Sequence, residues 1–309
     1  MTGMTSGQRD YAGPGDLLLM QQAVQRTWTP TSGWHIGDLA WQRHAVPDHE
    51  SSWRTSLWID DDQVVAWGWA EVSGHLEWYV DPSHSGLADI VLDWFDAGAT
   101  GPDRSLTVME TDDHLIAAAE DAGFRRRPDA PFFEHYLLEL DGMLARLRLP
   151  EGYLLRPVHQ DEAAARAAVH RAAWRPARVG SLLVPPMDLG NGESGVTTTS
   201  YSAVMAAWPY RHDLDLVVED AHGSLVASAL GWIDEVNGAG ELEPVGTDPR
   251  HSQRGLGAAV SLACLHAMRA AGASRAVVYP RGDPAYPVAS RLYNRLGFRP
   301  VARSATYTC

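Results

Sequence analysis

The stretch "ELEPVGTDPRHSQRGLGAAV", residues 241–260, passes from a strand through a glycine-rich turn into a helix, and its reading decides the fold. Glu241 and Glu243 share one parity along the strand and so face one side. Leu256, Val260, Ala263 and Ala267 mark one face of the helix, which Gly272 stops. An earlier stretch, "DPSHSGLADIV" from Asp81, keeps step through Asp-Pro-x-His-Ser and Gly-Leu but lacks Gln253, Arg254 and the second glycine.

The match extends outward from these turns. "QVVAWGWAEV" (63–72) and "SLVASALGWIDEV" (224–236) are β-branched and aromatic, and each follows an acidic turn as the second strand of a hairpin would. "GHLEWYVDP" and "GAGELEPVGTDP" supply the next strand of each copy, and Leu87, Ile90, Val91, Trp94 and Phe95 mark the first copy's helix face. Both copies continue with a short strand, "SLTVME" or "SRAVVY", and a helix closing at Gly123-Phe124 or Gly297-Phe298. The economical reading is one α+β unit used twice. It divides the chain into a disordered tail (1–15), a first domain (16–142), a linker (143–152) and a second domain (153–309).

Bulk properties narrow the function. With 309 residues, 45% of them hydrophobic, two cores of about 150 residues each can be filled. No apolar run reaches the roughly 18 residues that cross a bilayer, and the first residues lack a basic segment followed by an apolar one. The expectation is therefore a cytoplasmic protein without a membrane partner. A formal net charge of −14 repels a phosphate backbone and argues against nucleic acid. Cys264 and Cys309 form no disulfide framework, and the 13 histidines show no metal-ligand spacing, so no metal is expected.

A helix opens with unsatisfied N–H groups and partial positive charge, so a loop that brings bare backbone to an anion there makes a phosphate site. In "HSQRGLGA", Gly255 and Gly257 remove side chains that would block the approach, and Arg254 can add charge. The shorter "HSGLAD" places Asp89 where anions should be attracted. The second copy is thus expected to bind a phosphate that the first has lost. The loop matches neither the P-loop nor the dinucleotide fingerprint.

"ELEPVGTDPRHSQRGLGAAV" followed by "ASRLYNRLGF" resembles the GNAT superfamily of acyl-CoA-dependent N-acyltransferases. The core motifs fall in 153–309 and fainter ones in 16–140, a tandem pair of GNAT-like domains. The resemblance implies, for each, a mixed and mostly antiparallel sheet flanked by helices. It also implies acetyl-CoA as co-substrate, held along Val245, Gly246 and Thr247, with its pyrophosphate on Gln253, Arg254, Gly255, Leu256, Gly257 and Ala258. The sequence departs from the family at Ser252, where Arg or Gln is usual, and at Tyr286, where Asn is usual.

The same resemblance implies the chemistry of an N-acetyltransferase (EC 2.3.1). Glu243, six residues before Pro249, stands where the family often carries its base, and Tyr293, five before Phe298, where it carries the acid that protonates the leaving thiolate. Counting in the same way in the first copy reaches Leu76 and Ala119, so base, acid and loop are expected to be missing there together. Asp234, Glu235, Glu241 and Glu243 suggest a small, positively charged amine as acceptor, taken by a monomer or homodimer. The segment 175–201 reads as a long connection that closes over the acceptor or stays disordered. A non-catalytic acyl-CoA sensor is the alternative from another class.

Overall fold

The computed structural model describes residues 7–47, 52–71, 73–98, 101 and 103–309. In chain order its elements begin with β1 (Gly7–Asp10), α1 (Pro14–Thr27), α2 (Ile36–His44), β2 (Arg54–Asp60), β3 (Gln63–Ala70), β4 (His75–Val80) and α3 (Leu87–Ala97). They continue with β5 (Ser105–Met109), α4 (Asp113–Asp121), β6 (Arg125–Arg126), β7 (Glu134–Glu139), β8 (Tyr153–Pro157), α5 (Ala163–Ala173), α6 (Pro176–Leu182) and α7 (Thr198–Ala206). The last are β9 (Asp215–Asp220), β10 (Leu225–Asp234), β11 (Ala239–Thr247), α8 (Leu256–Ala270), β12 (Arg275–Val278), α9 (Pro287–Leu296) and β13 (Arg299–Thr308). Among the described residues no helix is long and apolar enough to cross a membrane.

Two compact units result. The first comprises Met1–Ile36, Asp48–Glu134 and Ala302–Cys309, the second Gly37–Pro47 and His135–Val301. The contiguous halves read from the sequence, 16–142 and 153–309, therefore exchange segments. The exchange follows the hydrogen bonding: Ser304–Thr308 pair with β5, whereas Tyr136–Glu139 pair with β12. A strand's periodicity says which face it buries but not which sheet edge it will join. Within the expected N-terminal tail, Gly7–Asp10 pair with Ser56–Ile59 of β2, and Arg9 forms an ion pair with Asp16. This polar tetrapeptide is ordered by backbone pairing, which composition does not reveal.

In the first unit the sheet order is β1-β2-β3-β4-β5-β13, with β6 beside β13. All pairs are antiparallel except β4–β5. Helix α3 lays Leu87, Val91 and Phe95 into a core with Trp58, Trp78 and Phe124, while Ile90, expected on that face, is 45% exposed. In the second unit the order is β7-β12-β11-β10-β9-β8, with β11–β12 the parallel pair. Its α8 buries Leu256, Val260 and Ala263 against Leu242, Val218 and Phe298.

Both units close the helix after the parallel pair in the same way. Gly123 and Gly297 take the left-handed conformation (φ 93° and 97°), and the next residue's N–H returns to the carbonyl five residues earlier. Those acceptors are Ala119 in the first unit and Tyr293 in the second. The hydrogen bonding thus makes Ala119 the counterpart of Tyr293.

Candidate active site

Strand β11 pairs with β10 over its whole length but with β12 only at Ala239–Glu241. Beyond Glu241 the two parallel strands part, and the stretch from Leu242 to Thr247 has one edge without a strand partner among the described residues. Opposite Ala229 lies Val245, yet opposite Gly231 lies Leu242, so Glu243 and Pro244 together face Leu230 in a β-bulge. Proline suits the bulge because it brings no N–H for the ladder. The indole Nε1 of buried Trp232 donates to the Glu243 carbonyl at 2.8 Å and ties the bulge to β10.

Glu241 and Glu243 do reach one place, and a third carboxylate joins them there. One oxygen each from Asp38, Glu241 and Glu243 all lie within 4.8 Å of one another, close enough for a single cation to bridge them. Glu241 and Asp38 are buried; Glu243 is half-buried. Burial, then the charge of Asp38, then that of Glu241, raise the Glu243 carboxyl well above the ordinary carboxylate range. Asp38 comes from α2 through a glycine. A Cβ on Gly37 would lie 2.1 Å from Trp232 Cγ, so only glycine lets α2 press on the indole that holds the bulge.

Tyr293 on α9 is buried, with its ring edge-on to Phe298 at 5.7 Å. Burial first, and the charge of Glu243 second, push its hydroxyl well above 10, so it stays protonated and able to donate at neutral pH. Tyr286 occupies the position just before α9, with no hydrogen bond from its side chain to the helix start, and presents a phenol rather than an amide.

The loop before α8 has the backbone an anion site needs. Asp248 accepts from the Arg250 N–H at 2.9 Å and caps a short turn, Pro249–His251. Gln253 and Gly255 then take left-handed φ values of 60° and 78°, and Gly255 caps α8 with no side-chain acceptor on the first N–H groups. A Cβ on Gly255 would meet open space, and one on Gly257 would come within 3.3 Å of Thr247 Oγ1. Leu256 turns its side chain into the core, which leaves its backbone for the loop, and Ala258 is half-buried. The exposed Arg254 guanidinium donates to Tyr153 Oη at 2.7 Å, and Tyr153 Oη lies 2.9 Å from His251 Nδ1.

Along β11, Val245, Gly246 and Thr247 are half-buried. A Cβ on Gly246 would sit 2.8 Å from the Ala173 Cβ and 3.4 Å from Trp174 Nε1, so the end of α5 packs directly on the strand. Behind Trp174, His170 stacks on its ring and lies 5.3 Å from Trp41. Burial, followed by the charges of Arg166 and Arg171, depresses His170 to about 3, so it is neutral.

Several expectations change. The bulge adds one residue to β11, so the register makes Leu76 the counterpart of Leu242 and Glu77 that of the bulged Glu243–Pro244. Counting back from proline misses the bulge by one residue. The first unit therefore keeps a carboxylate, held 3.1 Å from His75, while Ala119 still supplies no hydroxyl. Its gap between β4 and β5 is also plugged, because Trp78 Nε1 donates to the Thr107 carbonyl at 3.0 Å and Trp34 Nε1 to the Trp78 carbonyl at 3.1 Å. Gly86, before α3, is right-handed at φ −64°, unlike Gly255.

Asp234 and Glu235 do not join the other carboxylates. Asp234 is buried and accepts from the Val236 and Asn237 N–H groups of the hairpin turn, and Glu235 pairs with Arg211 at 3.3 Å. The segment 175–201 is not one long connection: Pro176 starts α6, and a Thr197–Ser200 capping box starts α7. Sequence reasoning missed Asp38, His170 and Trp174, and only the Gly37-Asp38 pair at the start of a helix that ends in Gln42, Arg43 and His44 carried a signal.

Comparison with known proteins bears on this geometry. Residues 189–298 match the family model Acetyltransferase (GNAT) family. A mycothiol acetyltransferase of Beutenbergia cavernae is 40% identical over 93 residues, 30% of each chain. One of Clavibacter sepedonicus is 27% identical over 256 residues, 80% of this chain and 77% of the relative. The chain thus aligns with under a third of the first relative's length. Among solved structures, a tandem GNAT protein from the clavulanic acid biosynthesis pathway (without AcCoA) superposes with a TM-score of 0.61 at 17% identity, covering 98% of each chain.

Proposed function

The chain belongs to the GNAT acetyltransferase family, and from that premise we propose that its second unit transfers an acetyl group from acetyl-CoA to the primary amine of a small, cationic acceptor. The observation that carries the reading is the conjunction at β11 of a bulged, carboxylate-flanked strand with an open edge and a glycine-capped helix start.

The residues present fit the co-substrate. The α8 start and the backbone from Gln253 to Ala258 suit a pyrophosphate, and the free edge from Val245 to Thr247 offers N–H and C=O groups to the pantetheine arm. Acetyl-CoA supplies an activated acyl carbon on a thiol leaving group. Glu243 takes the proton from the acceptor's ammonium, so that the amine nitrogen can bond to that carbon. Backbone N–H groups of the β11 edge face the developing oxyanion. As the carbon–sulfur bond breaks, Tyr293 gives its hydroxyl proton to the sulfur, and the second proton that the nitrogen sheds on becoming an amide restores the hydroxyl. No covalent enzyme intermediate is needed.

The cation suited to the three-carboxylate cluster is the acceptor's own ammonium. A cluster of that sign attracts a cation and disfavours an anionic metabolite. The relatives' name, mycothiol acetyltransferase, supports a small molecule as acceptor. Calorimetry tests the co-substrate site: one CoA per chain is expected, with binding abolished by Gly255→Asp, which adds a negative side chain at a left-handed position. Two equivalent sites, or unchanged binding in Gly255→Asp, would contradict it.

A further inference from the structure

Asp38 lies more than 200 positions before Glu243 in the chain, yet its carboxyl meets the carboxyls of Glu241 and Glu243 within 4.8 Å. Its placement is built into the helix that carries it. Gly37 admits Trp232 at a distance no side chain would tolerate, and Trp232 in turn holds the Glu243 carbonyl. Asp38 stands in the first turn of α2, where the partial positive charge of a helix start favours a negative side chain, and Gln42 Nε2 donates to it at 3.4 Å. Three carboxyl groups with oxygens this close cannot all stay ionised without strong mutual repulsion, so a proton held among them is favoured, as between any two carboxylates that share a site.

We propose that Asp38 is a positioning residue of the reaction: it shares a hydrogen-bonding proton with Glu243 and holds that carboxylate as the acceptor of the ammonium proton. Helix α2, from the N-terminal part of the chain, thereby completes the base of the second unit. This rests on the reading of Glu243 as base. Asp38 adds no step of its own; the proton leaving the amine still goes to Glu243.

Around Glu243, Asp38 comes from α2, Glu241 from its own strand and Tyr293 from α9, while β10 presents the non-titrating indole of Trp232. From α5, Arg166 is engaged with Asp215 and His170 with Ser194. Removing the negative charge of Asp38 makes Glu243 easier to ionise, so the acidic limb of kcat/KM should move to lower pH. A weaker base also lowers the plateau.

The test uses the full chain with glutamate side chains labelled at the carboxyl carbon with 13C, the Glu243 resonance being assigned by its loss in Glu243→Gln. In Asp38→Asn its titration midpoint should fall by about one pH unit or more. The acidic limb of kcat/KM should shift equally, with the dissociation constant for acetyl-CoA unchanged. Asp38→Ala should move both in the same direction, and serves should the amide disturb α2. A folded Asp38→Asn protein with the parent's midpoint and acidic limb overturns the proposal. A shifted midpoint together with undiminished turnover in Glu243→Gln overturns instead the reading of Glu243 as base.

Discussion

Gly37→Ala is a small change with a calculable consequence. The added methyl would stand 2.1, 2.3 and 2.6 Å from Cγ, Cβ and Cδ1 of Trp232, all at the root of the side chain. Carbon atoms settle near 3.5–4.0 Å, so α2 or the indole must move by about 1.5 Å. Trp232 is fully buried, so its neighbours must also move if it does. Overpacking of this kind costs about 1–3 kcal/mol, and losing the 2.8 Å bond from Trp232 to the Glu243 carbonyl costs about 1 more. At about 2–4 °C per kcal/mol for a unit of this size, the second unit should melt roughly 5–15 °C lower. The shift also carries Asp38 away from Glu243, and displacements of about 1 Å at a reacting centre can cost on the order of 10² in rate. Thermal melts followed by tryptophan fluorescence, with kcat measured well below the transition, read both effects. An unchanged melting temperature with unchanged kcat would refute the packing of α2 on Trp232.

His170 gives the protein an acid sensitivity of definite sign. Its folded-state value, about 3, is depressed below the usual 6.5, so the unfolded chain binds the proton more readily. The stability it supports is complete above about pH 6.5 and is lost as pH falls toward 3, at about 1.4 kcal/mol per unit and about 5 kcal/mol in all. His170→Gln should flatten that part of the urea-midpoint profile between pH 6 and 4, and an unaltered slope would show that the ring protonates freely in the folded state. Tyr293→Phe keeps the ring against Phe298 and removes only the hydroxyl. Thermal stability and CoA affinity should hold while kcat falls by on the order of 10², and a near-parental kcat would assign the leaving-group proton elsewhere.

The repeated α+β unit was legible because each copy changes period in the same order, from strand alternation through Asp-Pro-x-His-Ser to a helix face. Strand parity likewise suffices to put Glu241 and Glu243 on one side. Parity fails at the bulge, where one inserted residue shifts every later count, and so Glu77 was hidden behind Leu76. Asp38 was out of reach for another reason. Periodicity describes an element's own faces, and nothing in "HIGDLAWQRH" specifies a strand some 200 residues later. The exchange of β7 and β13 is unreadable on the same ground, since hydrogen bonds between strands leave no mark in the side-chain pattern. The loop at 252–257 showed its glycines, but the left-handed turn at Gln253, a residue type that rarely adopts it, needed coordinates.

The central claim is amine-dependent acetyl transfer with Glu243 as base, and thiol release from acetyl-CoA measures it directly. A panel of small primary amines, cationic and anionic, is assayed with the parent protein and with Glu243→Gln, alongside calorimetric acetyl-CoA affinity for both. The account predicts release that depends on the amine, is greatest for a cationic acceptor, and falls by on the order of 10² or more in Glu243→Gln at unchanged acetyl-CoA affinity. Release equal in the two proteins, or no amine-dependent release by a parent protein that binds acetyl-CoA, would contradict it.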